Sequence, residues 1–135
     1  MRVEFVIKGR PVAKERVRVV KYGNAYTPKK TRDYERLVKQ VYELQVGEDL
    51  GESALLVEID FYFAIPKSYT KKRRMAIERG EEVYTKRPDL DNLAKTITDA
   101  LNGIAYKDDS QIIEMNLKKH YSPEDKVVVA IEELF

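Results

Sequence analysis

The chain has 135 residues, 43% of them hydrophobic and 36% charged, with a formal net charge of +2. This length and apolar content predict one domain, residues 1–135, with its own hydrophobic core. The absence of cysteine excludes disulfides, thiolate metal sites and a cysteine nucleophile. No run approaches the roughly 18 apolar residues that a membrane helix needs, so we expect a cytoplasmic protein with no membrane partner.

Alternating apolar residues predict a first strand at residues 2–8, followed by a basic loop or irregular hairpin with glycine and proline. A helix capped by Thr31 or Asp33 is expected to run to about Gly47. Its apolar stripe, at helical spacing, is expected to face the core. The stripe consists of Tyr34, Leu37, Val38, Val41, Tyr42 and Leu44.

The segment "SALLVEIDFYFAI", residues 53–65, alternates clearly and predicts a central strand. Residues 67–88 are polar and basic, with a possible short helix near 71–79, and a further helix is expected at about 92–101. Two strands are then expected within 111–120 and 126–134, joined as a hairpin by "YSPED". The predicted order β-α-β-α-β-β indicates an α+β domain, with helices packed on a mixed or mainly antiparallel sheet.

Basic residues are concentrated in two segments of the chain. Between residues 8 and 32, nine lysines and arginines accompany a single acid, Glu15, and residues 66–74, "PKSYTKKRR", contain no acid. Such segments can present a cationic surface to a polyanion, although a pair of solvated basic loops explains the runs equally well.

The segment "RPDLDNLAKTITDALNGIAYKDDSQ", residues 87–111, contains five aspartates. Asp91, Lys95 and Asp99 follow each other at helical spacing on the polar side of the predicted helix, which a helix cap and a surface ion pair would explain. Asp89 is not explained in that way. In an extended approach to the helix its carboxylate lies beside that of Asp91, and such a pair usually binds a cation or shares a proton.

The adjacent Asp108 and Asp109 follow the helix, and the return of the chain to the sheet could bring one of them over the helix start. Three carboxylates around one point suit Mg²⁺, with Mn²⁺ as the alternative, rather than zinc. A water on such an ion could attack phosphorus while Lys95 steadies the charge that develops on the phosphate.

The same stretch resembles the signature of the RusA-type Holliday junction resolvases, which are small homodimeric endodeoxyribonucleases often carried by prophages. The similarity lies in PDxDN, a lysine four residues after the second aspartate, DALNG and a DD pair. It extends upstream, because "GRPVAKERVR…NAYTPKKTRDYE" is similar to the amino-terminal segment common in the family.

The resemblance implies that Asp89, Asp91 and Asp109 are the metal-binding and catalytic carboxylates and that Lys95 is the catalytic lysine. It implies supporting roles for Asp99, as an orienting partner of Lys95, and for Asp108. The implied partners are branched DNA, in the form of a four-way junction, and a second copy of the chain. The residues expected to contact DNA are Lys14, Arg16, Arg18, Lys29, Lys30, Lys71, Lys72, Arg73 and Arg74.

Two other functions are compatible with the sequence. A non-enzymatic nucleic-acid-binding module would use the aspartates only as caps and loop solubilisers and would need no divalent ion. A nucleotidyltransferase also uses paired aspartates, but no Gly-Ser stretch precedes "DLD". Tyr22 and Tyr26, within the basic loop, are candidates for DNA contact, whereas His120 is expected to be a surface or strand-end residue.

Overall fold

The computed structural model describes residues 1–15, 18–19, 23, 25–26 and 28–135, with the backbone alone at 18, 19, 25 and 26. Its α+β fold confirms the predicted class, and the order of elements is roughly consistent with the predicted one, with two short strands and one helix in addition. The strands are β1 (Arg2–Lys8), β2 (Arg18–Val19), β3 (Ala25–Tyr26), β4 (Leu55–Ala64), β5 (Ile112–Ser122) and β6 (Lys126–Glu133). The helices are α1 (Lys29–Gln45), α2 (Lys71–Glu78) and α3 (Leu90–Leu101), with a 3₁₀ helix at Asp109–Gln111.

The main sheet is mixed, with the strand order β1-β6-β4-β5. β6 pairs antiparallel with both β1 and β4, whereas β5 pairs parallel with β4. β2 and β3 form a separate two-stranded ladder inside the amino-terminal basic loop. The central position predicted for the strand within 53–65 is confirmed.

The predicted hairpin between the last two strands is wrong, because β4 lies between β5 and β6. The connection therefore crosses the end of β4. There the Asp125 carboxylate accepts a hydrogen bond from the Ala64 backbone N–H at 2.8 Å, and the Ile65 N–H donates to the Ser122 carbonyl at 3.1 Å. These bonds satisfy backbone groups at the end of β4 and replace the expected tight turn.

α1 and α3 pack against each other and against the sheet, on β1 and β5 respectively. The alternation of β4 buries the predicted side chains, since Val57, Ile59, Phe61 and Phe63 are each at most 1% exposed. Truncation of a buried aromatic such as Phe61 to alanine typically costs about 3–5 kcal/mol.

α1 begins earlier than predicted and buries a narrower stripe. Its N-cap is Pro28, so neither Thr31 nor Asp33 caps it, and the Thr31 side chain is buried. On the predicted apolar stripe, Tyr34, Val38 and Tyr42 are buried and Val41 is half-buried, whereas Leu37 and Leu44 are exposed. Gly47, at φ +71°, follows the helix end in the left-handed conformation that glycine adopts most readily.

α3 also begins earlier than predicted, at Leu90, with Asp89 at its N-cap. Its end at Leu101, followed by Asn102 and Gly103, is as predicted. The chain enters α3 from the carboxyl end of β4 and leaves it to begin β5, which is parallel to β4. The start of α3 therefore lies at the carboxyl ends of β4 and β5, and its end lies at their amino ends. In the described part of the chain, no helix is long and apolar enough to cross a membrane.

Candidate acidic site and nucleic-acid interface

Two aspartates mark the start of α3, and both are exposed. Asp89 has extended backbone angles, φ −73° and ψ 148°, and its carbonyl accepts the Leu93 N–H at 3.1 Å. Its carboxylate makes no capping bond, and Asp91 lies in the first helical turn. Within the described ranges, neither carboxylate is in an ion pair or a side-chain hydrogen bond. Their oxygens are therefore available to an external cation. The outward-pointing backbone N–H groups at this helix end favour negative charge, which suits the two carboxylates themselves.

An open cavity of about 300 Å³ adjoins Asp89 and is lined by Arg87, Pro88, Asp89 and Asn92. The Arg87–Pro88 peptide bond is cis. The cavity combines an arginine, an amide side chain and a free carboxylate. This combination suits a phosphate group, which the arginine can bind directly and the carboxylate can bind through a metal ion.

Lys95 and Asp99 continue along α3 and take part in a chain of ion pairs. The Lys95 ammonium lies 3.5 Å from the Asp99 carboxylate, which is also 3.3 Å from the Lys14 ammonium. Lys14 additionally contacts Glu35 of α1. Lys95 itself is 60% exposed, so its ammonium can still reach a ligand on the outer side of α3.

The environment of Lys14 differs from that of an ordinary surface lysine, since its side chain is only 16% exposed. Burial lowers the pKa of Lys14, but the hydrogen bonds and charges of Glu35 and Asp99 outweigh it, so the net pKa is raised. Lys14 was predicted to contact DNA. The structure places it between two carboxylates of the helix pair, a position that supports the packing of α1 on α3.

Asp108 and Asp109 lie in the 3₁₀ helix that precedes β5. The Asp108 carboxylate accepts the Ser110 N–H at 3.1 Å, and Gln111 Oε1 accepts the Asp108 N–H at 2.8 Å, which together form a capping box. Hydrogen bonds from Ser110 lower the pKa of Asp108. The Asp108 carboxylate thus has a local capping role, and the supporting role expected of it at the acidic site stays a prediction. The side chain of the neighbouring Asp109 has no cap or ion pair among the described residues.

Asp109 is not brought to Asp89 and Asp91 within one chain. The Gln111 side chain donates to the carbonyls of Gly51 and Ser53, each at 2.9 Å, which fixes the 3₁₀ helix at the amino end of β4. Asp89 lies at the opposite end of α3, whose 12 residues rise about 1.5 Å each, or about 16 Å from the first to the last. Accordingly, no group of three His, Cys, Asp or Glu side chains placed to hold a metal occurs among the described residues.

The positions of Asp108 and Asp109 do not match the expectation that the return of the chain to the sheet could bring one of them over the start of α3. Tyr106 confirms the location of Asp109: the phenol donates to the Thr98 carbonyl at 2.7 Å, near the end of α3. Burial raises the pKa of this phenol, and the charges of Asp109, Asp99 and Asp108 raise it further. Asp109 therefore lies near the carboxyl-terminal half of α3, away from Asp89.

The described residues on both sides of the amino-terminal basic loop lie at the same end of the sheet as Asp89. The Lys14 N–H donates to the Asn92 carbonyl at 2.9 Å, and the Glu15 N–H donates to Thr31 Oγ1 at 3.5 Å. The chain thus enters the amino-terminal loop between the starts of α1 and α3. Lys29 and Lys30 form the exposed first turn of α1.

The predicted basic cluster of residues 71–74 divides into two pairs. Lys71 and Lys72 are exposed in the first turn of α2. Arg73 donates to Glu82 at 3.0 Å and covers the Tyr69 ring at 3.6 Å, whereas Arg74 donates to the carbonyls of Tyr69 and Pro66. These bonds hold the turn before α2, which is a structural use of both guanidinium groups.

Four predicted residues have no described side chain. Arg16 and Tyr22 lie outside the described residues, and at Arg18 and Tyr26 the structure gives only the backbone of β2 and β3. Their roles stay predictions. His120, expected at a surface or strand end, lies near the end of β5, where Nε2 is 2.7 Å from the Asp60 carboxylate and the ring stacks on Tyr62.

Sequence reasoning missed two features, one on α1 and one beside Asp89. A second concavity, of about 400 Å³, lies on the outer side of α1 and is lined by Arg32, Glu35, Arg36 and Lys39. The spacing of these four residues at three and four positions apart could have indicated that they share one side of α1. The other feature is Lys119, which reaches the loop before Asp89. No sequence pattern indicates that contact, because 31 residues separate Lys119 from Pro88.

Comparison with known proteins identifies the class to which this fold and site belong. Residues 8–132 match the model of the family described as Endodeoxyribonuclease RusA, which covers nearly the whole chain. The chain therefore belongs to the RusA endodeoxyribonuclease family, whose members act on Holliday junctions and generally depend on a divalent metal. It is also similar to the "Uncharacterized protein YqaN" of Bacillus subtilis (strain 168), with 33% identity over 137 residues, covering 98% of this chain and 96% of that protein.

Proposed function

We propose that the protein is a Mg²⁺-dependent endodeoxyribonuclease that resolves four-way DNA junctions by paired phosphodiester hydrolysis in DNA recombination and repair. The observation that supports this proposal most strongly is the pair of free carboxylates, Asp89 and Asp91, at the start of α3 in a chain of the RusA family. We place this activity in the cytoplasm. Mn²⁺ is the alternative metal, since the same oxygen ligands suit both ions.

The residues at the start of α3 fit a magnesium ion in their chemistry, because their donors are carboxylate oxygens. The chain has no cysteine, and its one histidine, His120, pairs with Asp60. Asp89 and Asp91 would hold the ion, with Asp109 as the third ligand. When bound, Mg²⁺ supplies Lewis-acid stabilisation of the phosphate and a more acidic water. Lys95, one helical turn after Asp91, would offset charge that develops on the phosphate.

A homodimer can complete this ligand set, because Asp109 is too far from Asp89 within one chain. β5 is an edge strand of 11 residues, and no strand of the described chain pairs with its outer side. Ile113 and Met115 on β5 are exposed apolar residues. The opposite edge, β1, is protected, since the Gln45 amide group exchanges two hydrogen bonds with the Val6 backbone.

Antiparallel pairing of β5 with its copy would form a twofold-symmetric dimer with a continuous sheet. In that pairing the amino end of one β5 lies beside the carboxyl end of the other. Asp109 of the partner subunit then approaches the end of the sheet where Asp89 and Asp91 lie. The two sites so formed are related by the twofold axis that paired cuts in a four-way junction require.

The DNA surface proposed for each subunit surrounds this end of the sheet. It comprises the first turn of α1 with Lys29 and Lys30 and the first turn of α2 with Lys71 and Lys72. Arg16 and Arg18 are further DNA contacts expected from the sequence alone. Lys14, Arg73 and Arg74 would support this surface through their protein contacts. The phosphate backbone is the expected ligand, because clustered cations bind it with little dependence on sequence.

The proposed function is tested with a labelled synthetic four-way junction, incubated with and without Mg²⁺. The wild-type protein should cut paired strands only with the metal, and Asp89→Asn and Asp91→Asn should bind the junction without cutting it. Glu43→Gln, which makes the same charge change at an exposed position far along α1, should cut like the wild type. Metal-independent cutting, or binding by the wild type with no cutting at any Mg²⁺ concentration, would contradict the proposal.

A further inference from the structure

The loop that leads to Asp89 has no regular secondary structure, yet three successive carbonyls in it are hydrogen-bonded by side chains. The Lys119 ammonium donates to the Lys86 carbonyl at 2.8 Å and to the Pro88 carbonyl at 3.1 Å. The Tyr84 phenol donates to the intervening Arg87 carbonyl at 2.9 Å. A lysine ammonium has three N–H donors, so one group can bind two carbonyls simultaneously.

Both donors are fixed to the sheet. Lys119 stands on β5 beside Phe61 of β4, in the register of that parallel pair, and is half-buried. Tyr84 is 9% exposed and stacks on Phe63 with a ring separation of 4.1 Å. The Lys119 ammonium lies 5.5 Å from the centre of the Tyr84 ring, so the two donors also contact each other.

Asp89 is therefore held on both sides of its α-carbon. On the amino side, Lys119 and Tyr84 bind the three preceding carbonyls, and on the carboxyl side the Asp89 carbonyl accepts the Leu93 N–H of α3. Among the described residues the Asp89 side chain has no such bond, so in this part of the chain its carboxylate is placed by the backbone rather than by partners of its own.

We propose that Lys119 is a positioning residue for the acidic site: by holding the carbonyls of Lys86 and Pro88, it places the Asp89 carboxylate beside Asp91 for metal binding. The inference rests on the proposed function, in which Asp89 is a metal ligand. Lys119 does not act through its charge on a carboxylate, because it forms no ion pair with any acid in the described residues. Its effect is on the backbone that presents Asp89.

The test measures Mn²⁺ binding to the full-length dimer without DNA, by electron paramagnetic resonance of the free ion. K119M should weaken Mn²⁺ binding about 10-fold to 100-fold, the range found when the groups that orient metal ligands are removed. The Mg²⁺ concentration for half-maximal junction cleavage should rise by a similar factor. K119R should restore part of the affinity, because a guanidinium can also donate to two carbonyls.

K118M is the matched control, since it removes the same charge from the adjacent, exposed position of β5. It should bind Mn²⁺ like the wild type. Should K119M fail to fold, Y84F removes only the bond to the Arg87 carbonyl and keeps the ring stack, and it should weaken Mn²⁺ binding by a smaller factor.

A folded K119M that binds Mn²⁺ as tightly as the wild type overturns the inference. D89N separates this failure from failure of the proposed function. If D89N loses Mn²⁺ affinity while K119M does not, Asp89 is a ligand and Lys119 does not position it. If D89N also binds like the wild type, the metal site itself is refuted, and the inference falls with it.

Discussion

Lys14→Met should destabilise the fold rather than weaken DNA binding directly. The change removes the cation between Glu35 on α1 and Asp99 on α3, whose side chains are 18% and 22% exposed. Two carboxylates then face each other with little access to water. Asp99 retains the exposed Lys95 as a partner, but Glu35 loses its only ion pair in the described chain.

The expected loss in the free energy of unfolding follows from the degree of burial. Fully exposed pairs contribute up to about 1 kcal/mol, and removal of one partner from a fully buried pair costs about 3–5 kcal/mol. Lys14 is 16% exposed and binds two acids, so we expect about 2–3 kcal/mol. Glu35→Gln in the Lys14→Met background should recover part of this loss, because it removes the unpaired charge.

Urea unfolding at fixed protein concentration, followed by far-ultraviolet circular dichroism, measures this effect. Tyrosine fluorescence is a second probe, since the chain has nine tyrosines and no tryptophan. An unfolding free energy within about 0.5 kcal/mol of the wild type, the usual range of neutral surface changes, would refute the reasoning. A log–log salt slope of junction binding that is shallower by about one unit, with unchanged stability, would instead support the predicted contact of Lys14 with DNA.

Three other outcomes are expected. Lys71→Ala with Lys72→Ala should flatten the log–log salt dependence of junction binding by about 0.9 per lysine, measured by fluorescence anisotropy; an unchanged slope would remove α2 from the DNA surface. Lys95→Ala should lower the cleavage rate by about 10²-fold or more in single-turnover assays. Junction binding and the unfolding midpoint should stay nearly unchanged, because the Lys95 side chain is 60% exposed and Asp99 keeps Lys14 as a partner; unfolding of this variant would make Lys95 structural. The stabilisation by Lys14 should be complete below pH 10.5 and should be lost as the pH rises through its raised pKa. The unfolding free energies of wild type and Lys14→Met should therefore converge at high pH. A difference between them that does not change with pH would exclude titration of Lys14 as its origin.

Local patterns predicted the elements well, but they could not predict how the strands are ordered. The alternation of β4 identified its buried residues, such as Phe61, and the Asn102–Gly103 pair marked the end of α3. The short connection before β6 was interpreted as a hairpin because the two flanking strands are adjacent in sequence. Only the pairing of β5 with β4, which depends on the path through α3, shows that a strand lies between them.

The same limit applies to the acidic site. The spacing of Asp89 and Asp91 was enough to predict two neighbouring carboxylates at a helix start, and the structure places both there. The distance between Asp109 and the other two aspartates depends on the direction of α3 relative to β5. The periodicity of the sequence gives no information on that direction.

The most direct test of the account is subunit complementation between Asp91→Asn and Asp109→Asn. Each variant alone should be inactive, because both sites of its dimer lack one ligand. In a mixed dimer, Asp91 of the Asp109→Asn subunit and Asp109 of the Asp91→Asn subunit form one complete site, while the other site lacks both groups. Random mixing should therefore restore about a quarter of the wild-type sites, seen as Mg²⁺-dependent nicking of a four-way junction.

Refolding the two differently tagged variants together, followed by tandem affinity purification, would isolate the mixed dimer for this measurement. Nicking of one strand by this dimer, with little paired cleavage, is the result that the account predicts. A mixed dimer as inactive as either parent, beside an active wild type prepared in the same way, would show that the acidic site does not combine residues of two subunits.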